Sequence, residues 1–203
     1  SDEGRQSPAA GAEQSAYLQG YAAFSAGEYA LAANAFRTVA YRRGALGRWY
    51  LIRSLTMAGE WQAALQEIDQ SKPEQQGLLV PILVANREAL SPEDARAILE
   101  KIALSEVSSV QYAQALMAEG KHAEAEEWLA SNPNIETWKS AKLYQGIALS
   151  YLRRWDEAET LLGALYQDTP SPINAMWYGQ VLLNTNQDQL GIALFQEGIK
   201  GVN

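Results

Sequence analysis

Apolar residues in this chain recur at spacings of three and four, and the pattern is interrupted by short polar turns. The stretch from Leu143 to Pro170 shows it most clearly. Tyr144, Ile147, Ala148 and Tyr151 share one face of a first predicted helix, and Ala158, Leu161, Leu162 and Leu165 share one face of a second. Gly146 and Ala158 lie where the two helices would cross, and small side chains there let the backbones approach until the flanking large residues interlock. Runs of β-branched residues with period-two alternation are absent, so the pattern predicts an all-α chain. A lone hairpin cannot bury both of its apolar faces, so further hairpins of the same kind are required.

Self-similarity supplies them. Gly20, Ile52, Leu83, Ala113, Gly146 and Gly179 follow one another at intervals of 30 to 33 residues. Twelve positions after each comes a small residue: Ala32, Ala64, Ala95, Ala125, Ala158 and Gly191. Four positions further stands a large apolar one: Phe36, Ile68, Leu99, Leu129, Leu162 and Phe195. Three of the intervening turns read Gly, polar, aromatic: Gly27-Glu28-Tyr29, Gly59-Glu60-Trp61 and Gly120-Lys121-His122.

In these residues the chain resembles the tetratricopeptide repeat (TPR) family, whose unit of about 34 residues is a helix–turn–helix. The resemblance covers roughly residues 13–200. It implies a right-handed α-solenoid, one continuous domain over 13–203 with repeats starting near 13, 45, 76, 106, 139 and 172. The polar residues 1–12 read as a flexible lead-in. The third unit departs from the pattern: Leu90-Ser91-Pro92-Glu93-Asp94 replaces its glycine turn, with Ser91 suited to capping and Pro92 to the first helical position. Pro81 should delay or kink that unit's first helix. The sixth unit carries Asn186-Gln187-Asp188 at its turn and is expected to pack less tightly.

The family's first helices line a concave groove, and the resemblance places the following positions on it, all but Val80, Val110, Leu143 and Met176 being read as partner-binding. In the first half these are Tyr17, Tyr21, Phe24, Trp49, Arg53, Met57, Val80, Val84 and Arg87. In the second half they are Val110, Gln114, Met117, Leu143, Ile147, Tyr151, Met176 and Gln180. An apolar groove of this size points to an interaction site, the alternative being that these residues pack between neighbouring first helices. Family members that clamp a C-terminal carboxylate use Lys, Arg and Asn in the groove; here only Arg53 and Arg87 are basic there, which disfavours that use. The resemblance thus implies a non-catalytic scaffold for a protein or peptide partner.

Composition narrows the remaining possibilities. The chain has 203 residues, 47% of them hydrophobic, enough for a continuous core. It contains no cysteine, which excludes disulfides, thiolate metal sites and cysteine catalysis. The net charge of −8 argues against nucleic acid as a partner. Charge is uneven: residues 1–60 hold six Arg against five acidic residues, and the excess of acid lies beyond them. Arg37, Arg42, Arg43, Arg48 and Arg53 could form a docking patch or be solvated and helix-terminal residues, and the second reading is preferred. His122, the only histidine, sits at a turn position otherwise aromatic, which favours packing over catalysis. Glu124, Glu126, Glu127, Asp156, Glu157 and Glu159 lie in first turns of second helices, where they complement the dipole and face water. Gly120-Lys121 lacks the rest of a phosphate loop, and no nucleophile elbow occurs. No enzyme, metal or cofactor site is therefore predicted.

No apolar run is long enough to span a bilayer. The use of Gln, Ala and Trp reads as bacterial, and a lead-in left by a removed signal or anchor would favour the periplasm or cell envelope over the cytoplasm, in an assembly role. Two rival expectations remain: a homo-oligomer stacked through its uneven charge, and an accessory domain of a larger membrane enzyme such as a glycan ligase or polymerase.

Overall fold

A computed structural model describes residues 8–42, 44–69 and 72–202. No strand occurs among them. The chain, expected to form one continuous domain, divides into two compact units between Ile102 and Ala103.

The first unit contains α1 (Pro8–Ser25), α2 (Tyr29–Arg37), α3 (Gly44–Met57), α4 (Trp61–Glu67), α5 (Pro73–Gln76), α6 (Leu79–Ala85) and α7 (Pro92–Ile102). Here α1 packs on α2, α2 on α3 and α3 on α4, while α6 packs on α3, α4 and α7. The second unit contains α8 (Glu106–Ala118), α9 (His122–Ala130), a 3-10 turn at Ile135–Thr137, α10 (Lys139–Tyr151), α11 (Trp155–Asp168), α12 (Pro172–Asn184) and α13 (Asp188–Val202). There each helix packs on the next, and the first helices α8, α10 and α12 also pack in sequence. Each unit is therefore a stack of helix hairpins, the α-solenoid arrangement.

The turns explain why the hairpins close so regularly. Gly27, Gly59 and Gly120 adopt left-handed backbone, with φ of 79°, 80° and 77°. After each, a backbone N–H reaches back five residues: Glu28 to the Ala23 carbonyl, Glu60 to Leu55 and Lys121 to Leu116, all at 2.9 Å. These bonds satisfy carbonyls that the helix end would otherwise leave open. Arg153 (φ 58°) and Asn186 (φ 62°) take the same conformation without being glycine, and Arg154 and Gln187 complete the same bond at 3.0 Å. Asn tolerates this backbone well; for Arg it costs energy that the surrounding hairpin must offset.

The third repeat solves the problem differently. Its turn has no glycine, and the buried Asn86 side chain donates to the Ile82 carbonyl at 3.0 Å and the Thr56 carbonyl at 3.3 Å. The first helix is split into α5 and α6, and Pro81 sits in the first turn of α6, where its missing N–H is tolerated. Ser91 caps α7, accepting from the Asp94 N–H at 3.1 Å. The register is altered: Ile98 and Ile102, rather than Ala95 and Leu99, are the fully buried residues of α7. The rerouted turn presents this helix with a different face inward.

Two further expectations meet corrections. Residues 8–12, assigned to a flexible lead-in, belong to α1, because Pro8 suits a helix start and Ala9, Ala10 and Ala12 favour continuation; residues 1–7 lie outside the described residues. The sixth hairpin is not loose. A Cβ at Gly179 would lie 2.5 Å from the Phe195 backbone nitrogen and 2.8 Å from the Gly191 carbonyl oxygen. At Gly198 it would lie 2.5 Å from Met176 Cβ. Glycines on both helices bring α12 and α13 nearly backbone to backbone.

Gly146 is crowded by a side chain instead: its Cβ would lie 2.5 Å from Leu162 Cγ and Cδ2. Leu162 can shift, whereas the Phe195 backbone cannot. Gly179→Ala should therefore cost about 3 kcal/mol in urea unfolding and Gly146→Ala about 1 kcal/mol. Gly11→Ala, with nothing near its Cβ, should raise stability by roughly 0.5–1 kcal/mol through helix propensity. Equal losses at Gly179 and Gly146 would contradict this packing.

Candidate interaction face

In the first unit the groove positions on α1 and α3 converge on one residue that the register did not single out, Tyr50. Phe36, fully buried, stacks on its ring at 5.2 Å between centroids. Tyr17, Tyr21, Phe24 and Trp49 meet it edge-on at 6.2, 5.8, 5.4 and 5.0 Å. Edge-to-face rings align the positive edge of one with the negative face of another, about 0.5–1.5 kcal/mol each beyond area burial. The available signal was aromatic density: the first two repeats contain nine of the chain's nineteen Phe, Trp and Tyr residues.

The cluster grades outward. Tyr17 and Phe24 are half-buried, with Tyr17 also against Phe36 and Phe24 against Tyr29. Tyr21 is 48% exposed and Trp49 37%. Beside them Met57, Val84 and Arg87 are exposed, while Arg53 is half-buried with its guanidinium carbon 5.5 Å from the Trp49 ring centroid. Trp49 and Tyr50 also line a cavity of about 490 Å3 with Ala45, Leu46 and Gln75. Val80, by contrast, is buried and belongs to the core.

In the second unit the predicted stripe is mostly structural. Val110, Leu143 and Ile147 are buried, and Leu143 and Ile147 sit in the cluster around Leu162. These are corrections. A helical period locates a stripe but not its width, and the inner edge of this stripe seals neighbouring first helices together. Met117 is half-buried between two core clusters, Met176 and Gln180 are half-buried, and Gln114 is exposed. Tyr151 remains 58% exposed, stacked on His122 with centroids 4.5 Å apart and planes 6° apart. It lines a pocket of about 280 Å3 with Ser150, Trp155, Trp177 and Gln180. His122 thus packs, as its turn position suggested.

The arginine cluster disperses. Arg37 pairs with Glu60 at 2.6 Å, and Arg42 pairs with Glu13. Arg48 lies over the Tyr41 ring at 5.0 Å. Arg43 lies outside the described residues. Among the described members of this group, Arg53 is the one that the register places on the α1–α3–α6 face. The acidic first turns are likewise not all solvated: Arg154 bridges Glu126 at 3.0 Å and Glu157 at 2.5 Å, tying the fourth repeat to the fifth. Hydrogen bonding to Arg154, the largest cause, holds the Glu157 carboxyl below its ordinary range.

Among the described residues, no cluster of side chains could hold a metal ion, and no helix is long and apolar enough to cross a membrane. The fold and its face define a helix-hairpin repeat protein. The family profile described as tetratricopeptide repeat matches residues 17–77 and 143–201, more than half of the chain, and the chain belongs to that family. The unmatched middle contains α6, the glycine-less turn and α7 of the third repeat, together with the whole of the fourth. No curated protein matches the sequence. Repeats of this family mediate protein–protein interaction and are typically non-catalytic.

Burial raises the Tyr50 pKa above its ordinary value of 10.0, with the nearby Tyr21 and Tyr17 adding to the shift. A raised folded pKa means that the contribution is intact below the unfolded value and is lost as pH climbs through it. Stability should therefore fall above about pH 10, and Tyr50→Phe should reduce that slope in alkaline urea titrations. Tyr50→Ala should cost roughly 3 kcal/mol at neutral pH. A Tyr50→Ala variant as stable as the parent would remove Tyr50 from its central place.

Proposed function

We propose that the first unit binds a segment of a partner protein along the face shared by α1, α3 and α6. Tyr21, Trp49, Met57 and Val84 provide apolar contact area, and Tyr50 holds the aromatic anchors rigid from beneath. The observation that carries this reading is the grading of one aromatic cluster from a buried Phe36, through the half-buried Tyr50 stacked on it, to an exposed pair, Tyr21 with Trp49. An aromatic side chain fixed by its neighbours loses little conformational entropy on binding, which is why such residues dominate interface energetics. The exposed apolar side chains lie on helices that pack in sequence, α1 on α3 and α3 on α6, and a contiguous apolar face of this kind is what an interaction site requires.

Peptides selected against the whole chain by phage display provide the test. Trp49→Ala should weaken the selected peptides by about thirtyfold, corresponding to roughly 2 kcal/mol, with the melting temperature nearly unchanged. Selected peptides that ignore Trp49→Ala and Tyr21→Ala would contradict the reading. So would a large loss of stability in both variants before any peptide is added. Sedimentation velocity of the same chain covers the self-association alternative: a dimer dispersed by Trp49→Ala would assign the face to a second copy instead.

A further inference from the structure

Arg53 is the one charged group on the α3 part of this face, and its surroundings leave it uncompensated. No ion pair forms between Arg53 and any carboxylate among the described residues, in contrast to Arg37, Arg42 and Arg154. Its Nε is buried and takes no hydrogen-bond acceptor. Removing a guanidinium partly from water without a counter-charge is costly, and stacking on Trp49 offsets only part of that cost. The predicted contact positions on α1, α3 and α6 include Arg53 but no acidic side chain. The apolar cavity of about 490 Å3 begins at the same Trp49 ring.

Resting on the partner-binding reading above, we infer that the occupant of this face is an extended segment carrying an Asp or Glu side chain beside a large apolar one. The apolar side chain enters the cavity between Leu46, Trp49 and Tyr50, and the carboxylate pairs with the Arg53 guanidinium. Charge complementarity selects this partner: the predicted contact positions on α1, α3 and α6 offer the Arg53 cation and apolar area and no anion. A guanidinium whose carbon lies 5.5 Å from the Trp49 ring centroid is restrained by that contact, and its planar fork suits the two-point recognition of a carboxylate. The segment's side-chain carboxylate is the group recognised, not a chain terminus, because Arg53 stands alone among apolar contacts rather than in a cluster of basic and amide groups.

The probes are two sets of twelve-residue peptides, acetylated and amidated at their ends. In one set a central Asp or Glu is flanked by Leu, Phe or Trp; in the other the acid is replaced by Asn or Gln. Fluorescence anisotropy against the whole chain should show the acidic set binding at least tenfold more tightly, with the difference shrinking as salt rises. Arg53→Gln should abolish the difference between the two sets, and Arg53→Lys should retain only part of it. Trp49→Ala should weaken both sets. Equal binding of the two sets by the parent chain would overturn the carboxylate inference while leaving the face intact. Binding insensitive to Trp49→Ala would instead overturn the face itself. Tighter binding of a phosphoserine set than of the acidic set, or no acidic-set binding up to millimolar concentration, also contradicts the inference. Salt dependence in the parent chain keeps the test decisive if Arg53→Gln unfolds.

Discussion

Everything in this protein depends on how closely the two helices of each hairpin approach. A Cβ at Gly20 would lie 2.9 Å from the Phe36 ring, one at Gly146 2.5 Å from Leu162, and one at Gly179 2.5 Å from the Phe195 backbone. The same register position on the first helix thus meets the same position on the second in the first, fifth and sixth repeats. Close crossing consumes one face of every first helix. A second face is consumed by the neighbouring first helices. What remains outward is narrow, and in the first unit it is apolar.

That residual face is where packing turns into function. Phe36 fills the space that Gly20 leaves, Tyr50 stacks on Phe36, and Trp49 and Tyr21 lean on Tyr50. A glycine on α1 is in this way connected through two rings to an exposed indole on α3. The second unit uses its own aromatics differently: Tyr151 stands out, but it is stacked on His122 at the neighbouring repeat's turn. The two halves of the chain share a fold and differ in what they leave uncovered.

Much of this was legible in the sequence because the constraints are local. Glycine at a left-handed turn and a small residue at a helix crossing are written at single positions, so the repeat boundaries and the all-α class follow directly. The misreadings have a common cause, which is that burial depends on neighbours in space. Val80, Val110, Leu143 and Ile147 share the period of Trp49 and Tyr151 but lie deeper, against the adjacent first helix. The third repeat kept its small-then-large spacing at Ala95 and Leu99, yet the turn through Asn86 brings Ile98 and Ile102 inward. Asn186 replaces a turn glycine without loosening the sixth hairpin, because its glycines lie on the helices instead. Tyr50 was overlooked because its importance comes from rings donated by α1 and α2, which no spacing within α3 reveals.

The central claim is that the outward face of the first helices, not the second helices, receives the partner. Amide hydrogen exchange of the whole chain, with and without a saturating display-selected peptide, measures this most directly. The account predicts slowed exchange confined in the first unit to α1, α3 and α6, with α2, α4 and α7 unchanged. Protection concentrated on α2, α4 and α7 would contradict it.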